Sequence, residues 1–352
     1  MPVRLAAARS SLIVVAIAGV CGCRSVSRSA AQPASHPRGD VSARSATLPG
    51  DPFAVAVSRE GQVLVGLQHA ERLALLSLKD RDARTLITVG AVPTDVRFSP
   101  VGGIAAVTNQ YSGAVGIIDL QRGMQVESIA ASSRPYRLLF SRDGARLYVT
   151  NDNGVVDVID LKQRRRVASL PATPAANGLA LAPDGRELYV TGTVGRVTVM
   201  DLTMNIAARD FAMPCGPQGI AVSPDGAELY VACEMGRSVI VVSSATGRLI
   251  ERVPLTAPAF DLAITPDGTQ LYVTQPGAGV VLVLDRASRA PVATHRVQHH
   301  RRRSRDRQRG RLDRHHPVIL IDDQSRACEG GRQSDAPAVA RSSSISMVSF
   351  PA

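Results

Sequence analysis

The chain has 352 residues and a formal charge of +11, yet aromatic residues make up only 3% of it and tryptophan is absent. Residues 1–50 hold six arginines against one aspartate, and residues 295–352 hold twelve arginines against six acids. The 244 residues between carry 23 bases and 23 acids and are neutral. A neutral body excludes the basic stripe that a nucleic-acid backbone requires, and so few aromatics exclude the stacking platforms expected of single-strand or sugar binders.

In chain order, Arg4 and Arg9 precede an apolar run from Leu12 to Val20 that is too short to cross a bilayer as a helix. This is the pattern of an export signal. It ends at Val20-Cys21-Gly22-Cys23, which resembles a bacterial lipobox. Cys23, with Val20 at −3 and Gly22 at −1, suits lipidation better than Cys21, and ordinary signal cleavage nearby is the alternative. Residues 24–50, rich in Ser, Ala, Arg and Pro, read as a flexible tether.

Residues 51–294 repeat. One turn recurs six times at intervals of 41 or 42 residues: Ser58-Arg59-Glu60-Gly61, Ser99-Pro100-Val101-Gly102, Ser141-Arg142-Asp143-Gly144, Ala182-Pro183-Asp184-Gly185, Ser223-Pro224-Asp225-Gly226 and Thr265-Pro266-Asp267-Gly268. Asp-Gly suits a tight hairpin because Gly takes a positive φ without a Cβ clash. In the third copy, Tyr136–Phe140 runs into the turn and Arg146–Asn151 returns, followed by Val155–Leu161 and Arg166–Leu170. Four short strands rich in Val, Leu, Ile, Thr and Tyr per 40-odd residues predict an all-β fold, a β-propeller of six clear four-stranded blades. A seventh turn is due near residue 306, where the chain reads Arg301-Arg302-Arg303-Ser304-Arg305 instead. Such a segment cannot bury two inner strands. Residues 295–352 are therefore expected to be frame-altered or a disordered basic tail, and the seventh blade degenerate or missing. Val318–Asp322 is the one strand-like run left there, and Ala43–Thr47 is the upstream candidate for closing the ring.

Leu147-Tyr148-Val149-Thr150-Asn151, Leu188-Tyr189-Val190-Thr191, Leu229-Tyr230-Val231-Ala232 and Leu271-Tyr272-Val273-Thr274 resemble the YVTN-type β-propeller repeat, with Val107-Thr108-Asn109 a weaker copy. The resemblance covers the repeats. It implies a surface-layer-like or secreted bacterial propeller, in a family whose members serve as binding platforms or stand beside redox enzymes.

Chemistry is sparse in the repeats. His69 is their only histidine and reads as a solvated loop residue. The turn aspartates, and Asp119, Asp160, Asp201 and Asp285 at the ends of third strands, read as partners of backbone N–H groups. Cys215 and Cys233 flank one hairpin, and in an oxidising compartment a disulfide between them is expected, with two buried thiols as the alternative. No catalytic residue, metal site or cofactor is assigned. A ligand would meet the rim where blade-to-blade loops converge on the channel mouth. There Arg134, Tyr136 and Arg137 form the densest cluster, fit for a carboxylate or phosphate, alongside Asn109, Asn151 and Glu234.

The function expected is a non-enzymatic, lipid-anchored envelope scaffold that binds a protein or a ligand, with a protein partner in the envelope and no nucleic acid. One alternative is a lactonase-like hydrolase using Arg134, Arg137, Glu234 and His69 at the channel mouth. Another is an accessory subunit of a periplasmic redox enzyme, the partner supplying the cofactor.

Overall fold

The computed structural model describes residues 9–18, 43–49, 52–58, 60–77, 84–192, 194–296 and 318–323. Cys23, most of the tether and the arginine-rich part of the tail lie outside these residues. Six four-stranded antiparallel sheets form a ring of blades spanning 52–88, 93–130, 135–171, 176–212, 217–254 and 262–296, numbered one to six below. This is the six-bladed β-propeller expected. The one helical element among the described residues is the 3-10 turn Pro276–Ala278.

Each blade is a meander whose first strand lies innermost and whose fourth is outermost. Second strands such as Arg146–Asn151 and Glu187–Gly192 are buried over nearly their whole length, while outer strands such as Met124–Ala130 alternate exposed and half-buried residues. The recurring turn closes the first hairpin. Gly144 sits at φ 69° and donates to the Ser141 carbonyl at 2.9 Å, while Asp143 Oδ1 accepts the Ala145 N–H at 3.0 Å. Asp184, Asp225 and Asp267 accept the equivalent N–H groups. Asp119, Asp160, Asp201 and Asp285 do the same at the third-to-fourth strand turns.

Packing is serial. One apolar cluster joins blades one and two and takes in Leu48, and four others join two to three, three to four, four to five, and five to six. Burying both faces of each sheet explains why second and third strands read as continuous apolar runs rather than alternating ones.

A further sheet has Arg9–Ala18 at its centre, antiparallel to Ala43–Pro49 and parallel to Val318–Asp323. The apolar run read as the middle of an export signal is thus extended, as its β-branched Ile and Val residues allow. The two segments noted as strand-like outside the repeats are its neighbours. A parallel pair sets this sheet apart from the blades.

Candidate functional site at the channel mouth

Inner strands are bulged near the mouth. Register slips between Pro93 and Asp95, between Pro135 and Leu138, between Ala176 and Leu179, and between Pro217 and Ile220. A bulge turns the side chains it carries away from the sheet. Counting outward from the Ser223–Gly226 turn would set Cys233 opposite position 216, and the bulge sets it opposite Pro217 instead. The two sulfurs still lie at bonding distance, 2.00 Å, with Cα atoms 5.6 Å apart.

One equivalent position recurs in each blade at intervals of 41 or 42, beside a bulge in blades one to five: Ala54, Asp95, Arg137, Gly178, Gly219 and Asp261. Arg137 reaches from blade three to blade six, its Nη2 3.1 Å from Asp261 Oδ2. Both side chains are buried, as is Asp95. Asp95 accepts the Leu138 N–H of blade three at 3.0 Å, and Arg97 Nε lies 3.5 Å from its other oxygen. The glycines make room. A Cβ on Gly219 would fall 2.2 Å from Asp261 Oδ1 and 2.7 Å from Asp261 Cα, so blade five can carry nothing larger there. Burial opposes the charge on Arg137, but Asp261 and Asp95 outweigh it and hold the guanidinium above its ordinary value. Burial pushes Asp261 upward despite the facing Arg137, and it pushes the Tyr136 phenol up as well.

The Thr of the Tyr-Val-Thr stretch secures this ring. Thr108, Thr150, Thr191 and Thr274 accept the N–H of Asp95, Arg137, Gly178 and Asp261 at 2.8–3.0 Å. Thr108 Oγ1 also donates to the Tyr136 carbonyl at 3.0 Å, and Thr191 Oγ1 to the Gln218 carbonyl, stitching each blade to the next. Blade five has Ala232 at this position, and Gly219 N–H donates to the Phe260 carbonyl at 2.9 Å instead.

The cluster expected from sequence is divided. Arg137 faces the ring axis with its guanidinium 5.7 Å from the centre of the half-buried Tyr136 ring. Arg134, largely exposed, holds Asp152 at 2.5 Å on the outer rim. Asn151 is buried and donates to Asp157 Oδ2 at 3.1 Å. Asn109 is equally buried, and neither of its amide atoms has a hydrogen-bond partner. Glu234 accepts Gln218 Nε2 at 2.8 Å, and Gln218 Oε1 accepts Asn177 Nδ2, which links blades four and five. His69 is exposed in a turn of blade one.

Asp157 is a residue that sequence reasoning passed over. It is fully buried and accepts the Ser132 N–H at 2.7 Å and the Ser169 hydroxyl at 2.5 Å, fixing the loop before blade three. A carboxylate inside Val155-Val156-Asp157-Val158-Ile159 was the signal available. Among the described residues no three His, Cys, Asp or Glu side chains gather as metal ligands would. The buried carboxylates Asp95, Asp157 and Asp261 each accept donors from within the ring. What the mouth offers a solute is a rim of half-buried and exposed polar groups: Arg134, Tyr136 and Glu234.

No family model matches the chain, and no curated protein matches it. Among solved structures it is similar to a chain of Kuenenia stuttgartiensis hydrazine synthase, at 20% sequence identity and a TM-score of 0.64 over 76% of this chain and 90% of that one. At that identity the likeness is one of fold: this chain belongs among the β-propellers.

Proposed function

We propose that the protein is a non-enzymatic β-propeller scaffold of the YVTN-repeat type, which binds a protein partner in the cell envelope. Export and a lipid anchor at Cys23 belong to this reading and rest on the order of basic residues, apolar run and cysteine at the N-terminus. The observation that carries it is how the charges at the mouth are used. Arg137 and Asp261, the groups best placed for electrostatic work, bind each other across the ring, and Asp95 is taken up by the Leu138 N–H and Arg97, while Arg134, Tyr136 and Glu234 remain on the rim. A site built for acid–base chemistry keeps such groups available to a substrate. A hydrolase using Arg137 would first have to break a buried ion pair.

Crosslinking on intact membranes, with wild type and an Arg134→Ala/Glu234→Ala double variant, tests the reading. One partner should be recovered with wild type and lost with the variant. Recovery of the same partner by both proteins, or lactone hydrolysis by wild type that falls with the rim variant, would reject it. The second reading, an accessory subunit, is favoured by the fold neighbour, since that chain belongs to an enzyme, hydrazine synthase. Under it the crosslinked partner is itself the enzyme.

A further inference from the structure

On the rim opposite the mouth, each of blades two to six sends one side chain into the groove against the blade before it. The position follows the third strand: Leu120, Leu161, Leu202, Ser244 and Arg286, spaced by 41 or 42 residues. The backbone makes them equivalent, for each N–H donates to a carbonyl of its own blade's first hairpin turn: Gly103, Ala145, Arg186, Ala227 and Thr269. In blades two, three and four leucine fills the groove and joins the apolar cluster there. In blade six Arg286 fills it, with Nη2 3.1 Å from both Asp225 Oδ2 and Glu228 Oε2 and Nε 2.9 Å from the Tyr230 hydroxyl of blade five.

Among these five blades only blade five has a small residue. Ser244 faces Asp184, Glu187 and Tyr189 of blade four, each 41 residues before Asp225, Glu228 and Tyr230. A cleft of about 620 Å³ opens between these blades, lined by these four residues together with Arg209 and Asp225. Arg209 holds Glu187 through two bonds of 2.6 and 3.0 Å, and Tyr189 donates to Glu187 at 2.8 Å. Arg209 pairs with Glu187 and Arg286 with Asp225, which leaves Asp184 as the lining carboxylate with no guanidinium beside it among the described residues.

We propose that this cleft receives an arginine side chain presented by a protein partner. The adjacent joint shows what the constellation binds, because Asp225, Glu228 and Tyr230 there hold two guanidinium groups of blade six, Arg286 and Arg289, the latter 2.7 Å from Glu228 Oε1, whereas the cleft has Arg209 alone. A planar fork satisfies two carboxylates and a phenol oxygen together, which an ammonium does not. The choice of a protein as the source rests on the scaffold reading; the cleft's preference for guanidinium does not.

Calorimetry on the full chain at low salt tests it, using the blocked peptide acetyl-Gly-Arg-Gly-amide with its lysine and citrulline counterparts and free L-arginine. The arginine peptide should bind near 1 mM, as about 4 kcal/mol for one side chain implies. The lysine peptide should bind roughly fivefold more weakly, in keeping with a lost bidentate contact, and the citrulline peptide should not bind. Ser244→Arg should abolish binding and raise the melting temperature, since the new guanidinium takes the contacts Arg286 makes one blade on. Ser244→Leu, which copies blades two to four, should also abolish binding and serves if the arginine variant fails to fold. Equal binding of arginine and citrulline peptides, or binding unchanged in both Ser244 variants, overturns the proposal. Free arginine binding as tightly as the peptide overturns the assignment to a protein partner. The Arg134→Ala/Glu234→Ala variant should leave the titration unchanged, so failure here and failure of the scaffold reading are told apart.

Discussion

Replacing Arg137 with methionine removes the charge that bridges blades three and six while keeping most of the side-chain volume. Arg137 faces two buried carboxylates, Asp261 at 3.1 Å and Asp95 beside it, so its loss strands both in a region with little access to water. Removing one partner of a buried ion pair costs about 3–5 kcal/mol, because the remaining charge is left uncompensated. For a domain of this size each kcal/mol moves the melting temperature by roughly 2–4 °C, giving a fall of about 10 °C. Asp261→Asn should cost less, since Arg137 keeps Asp95 as a counter-charge. The double variant Arg137→Met/Asp261→Leu should recover part of the loss, as apolar replacement of a buried pair often does. Urea unfolding followed by circular dichroism gives all three energies, and the double-mutant cycle should show coupling above about 1 kcal/mol. Strict additivity, or a fall below about 2 °C for Arg137→Met, would refute a cross-ring ion pair, on the same temperature scale.

Three further outcomes follow from the geometry. A non-reducing digest should yield the Cys215 and Cys233 peptides linked, and reduction should lower stability by about 3 kcal/mol, the chain-entropy value for a loop of this length; free thiols at both positions in the oxidised protein would contradict the bridge. Gly219→Ala should destabilise by at least about 2 kcal/mol, since its Cβ meets Asp261 backbone as well as side chain, whereas Gly277→Ala, with open space around it, should be nearly silent. The thermal midpoint should hold steady from neutral pH to about 5, then fall as pH drops from about 4 towards 2. The Ser223 hydroxyl, the Ala227 N–H and Arg286 hold Asp225 at about 2, and the Ser141 and Ser133 hydroxyls lead the groups that keep Asp143 and Asp152 low. Carboxyls lowered on folding lend stability above their unfolded value and lose it as they protonate in the folded chain. Asp261, raised by burial, works with the opposite sign; a midpoint that rises through the acid window would mean that it dominates.

The ring was legible because its information is local. Each tight turn needs Gly at positive φ, each strand needs β-branched residues, and the two alternate within 42 positions. The aspartates of both turn sets were read correctly for the same reason, since the N–H groups that donate to them lie two or three residues away. The mouth was harder. Arg137 and Asp261 are 124 residues apart, and nothing near either names the other. The bulge that aims Arg137 leaves no mark in composition, and another displaced the counted register at Cys233. The period held the missing clue, because Asp95, Arg137 and Asp261 fall on one ring position once the repeats are superposed.

The same superposition separates architecture from specialisation. A side chain that recurs at one position in successive blades serves what every blade needs, as Thr108, Thr150, Thr191 and Thr274 do in tying the second strand to the inner one. A departure from the series needs a different cause. At the ring position the departure to charge is answered inside the molecule, since Arg137 meets Asp261 and Gly219 leaves room for that aspartate. At the groove position the departure to Arg286 is answered by Asp225, Glu228 and Tyr230. Ser244 differs from both: it leaves Asp184 and Tyr189 facing a cleft that its neighbours on either side fill, and no other described blade keeps a carboxylate-lined groove open in this way. Asp184 keeps its turn bond to the Arg186 N–H, and Glu187 its contacts with Arg209 and Tyr189, so a guanidinium entering beside Ser244 meets groups that the fold already holds in place.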